Sequence, residues 1–143
     1  MANLKFKLLF FDSKRITSSV DKASRKVLSR FGAFVRRTAR QSIRKRKKSS
    51  APGKPPSSHT GLLKRFIFFG YDRRKLSVVI GPARLTDNNR GAAPSILEFG
   101  GTATVKGKKR KKNVTIQRRP FMGPAFEKEK PNLPSMWKDS VKN

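Results

Sequence analysis

Within the first forty residues the spacing of apolar side chains changes period, and that change constrains what the chain can build. Leu4, Phe6, Leu8 and Phe10 alternate with Lys5 and Lys7, a period of two that predicts a strand. From residue 16 the period is helical. Ile16, Val20, Ala23, Val27, Phe31, Phe34 and Thr38 recur at steps of four and three, which puts them on one stripe of an α-helix. Lys22, Arg25, Lys26, Arg30, Arg36, Arg37, Arg40 and Arg44 take up much of the remaining surface. Ser18, three residues ahead of Asp21, is a candidate N-cap, so a long amphipathic helix is predicted over about 18–44.

The helix runs into Arg46-Lys47-Lys48-Ser49-Ser50-Ala51-Pro52-Gly53-Lys54-Pro55-Pro56-Ser57-Ser58, whose Pro and Ser content predicts a mobile basic loop without regular structure. A recognition helix paired through a short turn is therefore disfavoured. Phe66 to Tyr71 and Leu76 to Ile80 flank Asp72-Arg73-Arg74-Lys75 and read as a hairpin. Residues 84–91 read as a loop, after which Pro94 opens a short helical turn with Ile96, Leu97 and Phe99. Thr102 to Lys106 and Val114 to Gln117 form a second hairpin around the cationic tip Gly107-Lys108-Lys109-Arg110-Lys111-Lys112. Pro120 breaks the last strand, Pro124 suits the first turn of a short helix stopped by Pro131, and a further helix starts near Pro134 with Met136, Trp137 and Val141 as apolar contacts. The order predicts an α+β fold: one long N-terminal amphipathic helix packed on an antiparallel β-sheet, with a short C-terminal helix.

The 143 residues suit a single domain, with basic loops at about 45–59 and 106–113. Lys and Arg number 36 against 8 Asp and Glu, a formal charge of +28. Repulsion on that scale opposes compaction and self-association unless an anionic partner is near. Nucleic acid ranks first among partners by charge, an acidic protein next and a membrane last, because no long basic segment carries a strong apolar face with Trp. The apolar run Leu8 to Phe11 is too short for a signal peptide, and no stretch approaches a membrane span. A soluble intracellular product is expected.

Residue supply argues against catalysis. There is no Cys and one His, which rules out a Cys-ligated zinc site and a His-rich one. The acids Asp12, Asp21, Asp72, Asp87, Glu98, Glu127, Glu129 and Asp139 are scattered, so no acid/base pair is set up by spacing. His59 stands in the Pro/Ser loop without a nucleophile elbow and reads as structural. Gly100-Gly101-Thr102 lacks the Lys-Ser/Thr of a phosphate loop, and Asn113-Val114-Thr115, though a glycosylation sequon, reads as strand sequence. No cofactor or metal is expected. Glu98, one carboxylate among many cations, is expected to be held by an Arg or by backbone N–H groups. The basic tip has no aromatic stacking platforms, so charge supports at most backbone binding without sequence choice.

Four motifs occur in order: Ser50-Ala51-Pro52-Gly53-Lys54-Pro55-Pro56, Thr60-Gly61-Leu62-Leu63, Glu98-Phe99-Gly100 and Pro120-Phe121-Met122-Gly123-Pro124-Ala125. On these the chain resembles the minor tail component or neck (head–tail joining) proteins of long-tailed bacteriophages, from which it departs in its extreme basicity and in the extra Gly101. The resemblance implies a virion structural protein, made in the host cytoplasm and placed at the head–tail junction. It would form part of a homo-oligomeric ring between portal and tail, beside connector and tail-terminator proteins, and assist tail completion or attachment. Thr60, Gly61, Leu62, Glu98, Gly100, Pro120, Phe121, Pro124 and Ala125 would then carry fold and assembly. Lys106, Lys108, Lys109, Arg110, Lys111, Lys112, Arg118 and Arg119 are candidate contacts to genomic DNA or an acidic neighbour. The alternative from charge alone is a cellular nucleic-acid-binding protein of ribosomal or chromatin type.

Overall fold

Helix α1 (Ser13–Ser42) dominates the architecture. The computed structural model describes residues 13–83, 93–106 and 110–141. The strand expected at 4–10 and the loop expected at 84–91 lie outside them. No Gly or Pro interrupts residues 13–17, and a helix once nucleated propagates back through such a segment. Ser18, expected as the N-cap, therefore lies inside the helix.

The buried face of α1 is not the straight stripe predicted. Ala23, Val27, Phe31, Val35 and Ala39 are its buried apolar side chains, and with the buried Ile43 just past the helix end they repeat at a strict step of four. Four residues overshoot one helical turn by about 40°, so this stripe winds around the helix. Ile16 and Val20, expected in the core, are 46% and 43% exposed, because the winding carries the packed face away from them. Phe34, also expected to pack, is half-buried beneath the guanidinium groups of Arg37 and Arg30, at 4.9 and 5.7 Å from the ring centroid. Thr38 donates its hydroxyl to Glu129 Oε1 at 2.5 Å.

The segment 45–59, expected to lack regular structure, carries a two-residue parallel bridge. Strands β1 (Arg44–Lys45) and β2 (Ser57–Ser58) pair Arg44 with Ser57 and Lys45 with Ser58. His59 Nε2 donates to Lys47 O at 2.7 Å, and Pro56 is fully buried. These contacts bring the two ends of the segment together.

A four-residue helix, α2 (Leu62–Arg65), leads into the hairpin of β3 (Ile67–Asp72) and β4 (Ser77–Pro82). Its register runs from Ile67↔Pro82 to Asp72↔Ser77. The turn is built by Asp72, whose Oδ1 accepts the amides of Arg74 and Lys75 at 2.9 and 3.2 Å. Helix α1 crosses this hairpin at Gly32, where an added Cβ would stand 2.7 Å from Val78 Cγ2 and 3.0 Å from Phe69 Cδ2. Arg36 fastens the crossing by donating Nε–H to Ile67 O at 2.7 Å.

Helix α3 (Ala93–Phe99) precedes a second antiparallel hairpin, β5 (Gly101–Lys106) with β6 (Lys111–Ile116). The hairpins are separate two-stranded ladders. Helix α4 (Met122–Glu129) begins two residues before Pro124, and Pro131 lies in a 3₁₀ turn (Lys130–Asn132) that passes the chain to α5 (Leu133–Trp137). Phe31, Val35, Ala39 and Ile43 of the α1 stripe meet Ile67, Phe121 and Ala125 in one core, with Leu63, Val78, Ile80, Leu97 and Met136 around it. The Phe31 and Phe126 rings meet edge to face at 5.7 Å. The fold is thus α+β, with the long helix packed on an antiparallel hairpin and a short C-terminal helix.

Candidate functional site

Helix α4 has no side-chain cap of its own, since Phe121 occupies its N-cap position. Its free amides are met from another part of the chain. Glu98 Oε2 accepts from the backbone N–H of Phe121 at 2.8 Å and of Met122 at 3.0 Å, and Oε1 accepts from Gly123 N–H at 2.8 Å. A carboxylate at a helix N-terminus satisfies orphan donors and complements the helix dipole. Of the two holders expected for Glu98, backbone amides are the ones found. A Cβ at Gly123 would stand 3.1 Å from Glu98 Oε1, so glycine there lets the carboxylate come down on the helix. With both oxygens occupied, the arrangement performs a structural task.

The chain around Glu98 is shaped to deliver it. Gly100 N–H closes α3 onto Ile96 O at 2.8 Å, and Gly100 and Gly101 take φ of 80° and 146°. A Cβ at Gly100 would meet Arg118 N at 3.2 Å and Ile116 O at 3.3 Å, so the backbone leaving β6 passes directly over this glycine. Arg119 N–H donates to Leu97 O at 2.6 Å. Pro120 then turns the chain inward, Phe121 is 1% exposed and Ala125 is buried, while Pro124 stays on the surface.

The proline loop joins the same junction. Gly53 N–H donates to Arg118 O at 2.9 Å, and Arg119 Nε–H donates to Ser50 O at 2.9 Å. Motifs from residues 50–53, 98–100 and 118–125 therefore converge at the start of α4. Thr60, Gly61 and Leu62 form the entry to α2 instead. Ser58 Oγ accepts Gly61 N–H at 3.0 Å, Thr60 Oγ1 accepts Leu62 N–H at 3.3 Å, and Gly61 has φ of 77°. This turn reaches the shared core through the next residue, Leu63.

Of the candidate partner contacts, Arg110, Lys111, Lys112 and Arg118 are exposed. Lys106 is opposite Lys111 in the ladder, and Lys108 and Lys109 lie outside the described residues. Arg119 is drawn into the fold: besides Ser50 O, its Nη1 reaches Gln117 O at 3.2 Å. The hairpin is pinned internally by Thr104 Oγ1–H donating to Asn113 Oδ1 at 2.8 Å, and beyond its own two strands β5 packs on α3.

Next to the engaged Glu98, Phe99 is 79% exposed. Phe68, Leu76 and Val79 of the first hairpin are exposed as well. The sequence places Phe99 on the turn opened by Pro94, with Ile96 and Leu97. Gly32 and Arg36 were not singled out from sequence; a lone glycine inside a predicted amphipathic helix is the signal that marks such a close crossing.

Among the described residues no group of three His, Cys, Asp or Glu could hold a metal ion, and no helix is long and apolar enough to cross a membrane. Compared with family models, curated proteins and solved structures, the chain matches none of them.

Proposed function

We propose that this chain is a non-catalytic structural subunit of the head–tail connector, or neck, of a long-tailed bacteriophage. It forms part of a homo-oligomeric ring between portal and tail and assists tail completion or attachment. The observation that carries this reading is the junction at α4, where three of the four neck-like motifs are joined by hydrogen bonds centred on Glu98 and Arg118–Arg119 and present an uncovered Phe99. A ring of identical subunits repeats one interface around its axis, and an uncovered apolar residue on a hydrogen-bonded junction can belong to that interface. Its cations then face the genome passing through the lumen, or acidic surfaces of adjoining rings.

The test is to delete the gene in its phage and inspect the particles, and to look for the protein in purified virions by mass spectrometry. DNA-filled heads and separate tails in the deletion, with the protein present in wild-type particles, support the neck assignment. The net charge of +28 favours the second reading, a cellular nucleic-acid-binding protein. Cofractionation with ribosomes or nucleoid, and absence from virions, would establish that reading instead.

A further inference from the structure

Where α1 gives way to β1, a cationic cleft opens between the helix end and the proline loop. One wall carries Arg44 and Arg46. The parallel bridge sets Arg44 against Ser57, and the bond from His59 to Lys47 O closes the outer end of the segment. The opposite wall carries Lys54 and Ser50, and it is anchored from behind by Gly53 N–H on Arg118 O and Arg119 Nε–H on Ser50 O. Between the walls lies a cleft of about 370 Å³, lined by Arg44, Arg46, Lys54, Ser50 and Ser57 among others, and by no carboxylate.

Two features suggest a ligand. First, three cations line one cleft without a counter-charge: among the described residues, none of their side chains has an acid or hydrogen-bond partner. Like charges gathered in a concave site raise the local concentration of anions. Second, Ser50, a half-buried residue of the cleft lining, has a covered hydroxyl with no hydrogen-bond partner, and an unpaired buried hydroxyl costs free energy. A tetrahedral oxyanion answers both, because guanidinium groups donate to it in pairs and a hydroxyl can complete its shell.

We infer that this cleft binds a phosphate group, supplied by a nucleic-acid backbone or by free inorganic phosphate. The site is separate from the tip 106–112 and does not depend on the neck assignment. A protein absent from virions would still bind phosphate here.

The test uses the full chain and three variants. Arg44→Gln/Arg46→Gln/Lys54→Gln empties the cleft of charge. Arg73→Gln/Arg74→Gln/Lys75→Gln removes the same charge from the β3–β4 turn. Ser50→Ala removes one hydroxyl and no charge, which keeps the test open should the cleft triple variant fail to fold. Inorganic phosphate is titrated by calorimetry, and a short DNA duplex by fluorescence anisotropy across a range of NaCl. The cleft variant is expected to lose at least about tenfold in phosphate affinity, and Ser50→Ala about fivefold, the scale of one ordinary hydrogen bond net of its exchange with water. The turn variant should leave phosphate affinity unchanged. If the source is a nucleic-acid backbone, the cleft variant also flattens the log–log salt dependence of duplex binding by about one, the share of one neutralised phosphate. Loss for inorganic phosphate with an unchanged duplex slope assigns the cleft to the free anion. Absence of saturable phosphate binding by the wild type, or equal losses in the two triple variants, overturns the inference.

Discussion

Glu98 and Phe121 form one working unit: the carboxylate accepts the amide proton of Phe121 at 2.8 Å, and the Phe121 ring is the largest of the fully buried side chains. The bond fixes where the ring enters the core, so polar and apolar contributions are coupled. Glu98→Ala leaves three helix amides without their acceptor and is expected to cost about 3 kcal/mol, allowing for partial exposure of the site. Glu98→Gln, which keeps one carbonyl oxygen, is expected to cost about half as much. Urea unfolding midpoints measure both, and an unchanged midpoint for Glu98→Ala would refute the capping role.

Gly32 admits no side chain. Alanine is ordinarily worth about 1 kcal/mol over glycine inside a helix. Here its Cβ would press on Val78, a stiff β-branched residue, at 2.7 Å. Overpacking of that kind costs about 1–3 kcal/mol, so Gly32→Ala is expected to be net destabilising by about 1 kcal/mol and Gly32→Val by more. Thermal unfolding of the two variants checks the order, and stabilisation by alanine would show that the helix and hairpin can separate freely.

Two glycines of like backbone conformation should respond differently. Gly53 and Gly100 have φ of 75° and 80°, yet a Cβ meets nothing within 4 Å at Gly53 and two backbone atoms within 3.3 Å at Gly100. Gly53→Ala is expected to cost about 1 kcal/mol from backbone conformation alone, whereas Gly100→Ala adds a clash and should cost at least about 2 kcal/mol. Denaturant titration of the pair isolates the steric part.

Replacing Lys106, Lys108, Lys109, Arg110, Lys111 and Lys112 by Ser should leave the fold intact. If the tip neutralises about six phosphates on duplex DNA, it contributes about −5 to the log–log salt slope. The variant should lose that contribution and, if the chain is the neck subunit proposed above, impair head–tail joining or DNA retention. Normal yields of infectious particles would leave the tip as a solvated charge run.

Rings of identical subunits carrying +28 repel one another. Purified protein at low salt is therefore expected to be monomeric or heterogeneous by light scattering. A discrete ring without nucleic acid or partner protein would contradict that expectation.

The elements that announced themselves in sequence are those set by near neighbours. The Asp72 turn, the β5–β6 hairpin, and the helical stretch opened by Pro94 all follow from local chemistry, and the period of α1 made its helix plain. Which face of α1 is buried did not follow from its own residues. Phe34 and Thr38 fit a straight stripe as well as Val35 and Ala39 fit a winding one, and the choice is made by what packs against the helix. The bond from Glu98 spans 23 positions to Phe121, so the motif showed where a special residue stood without naming its donors. Nothing in Arg44-Lys45 or Ser57-Ser58 foretold a bridge, because two residues carry no period.

The partner of Thr38 is Glu129, 91 positions further along the chain, and the Phe31 ring likewise waits for Phe126. During synthesis α1 leaves the ribosome before α4 exists, with its apolar residues uncovered. It cannot close its core until α4 has been made. Domains dominated by such distant pairings fold slowly and stay open to aggregation meanwhile. Shortening the chain from its C-terminus past α4 would therefore leave a nascent chain with no native state to reach.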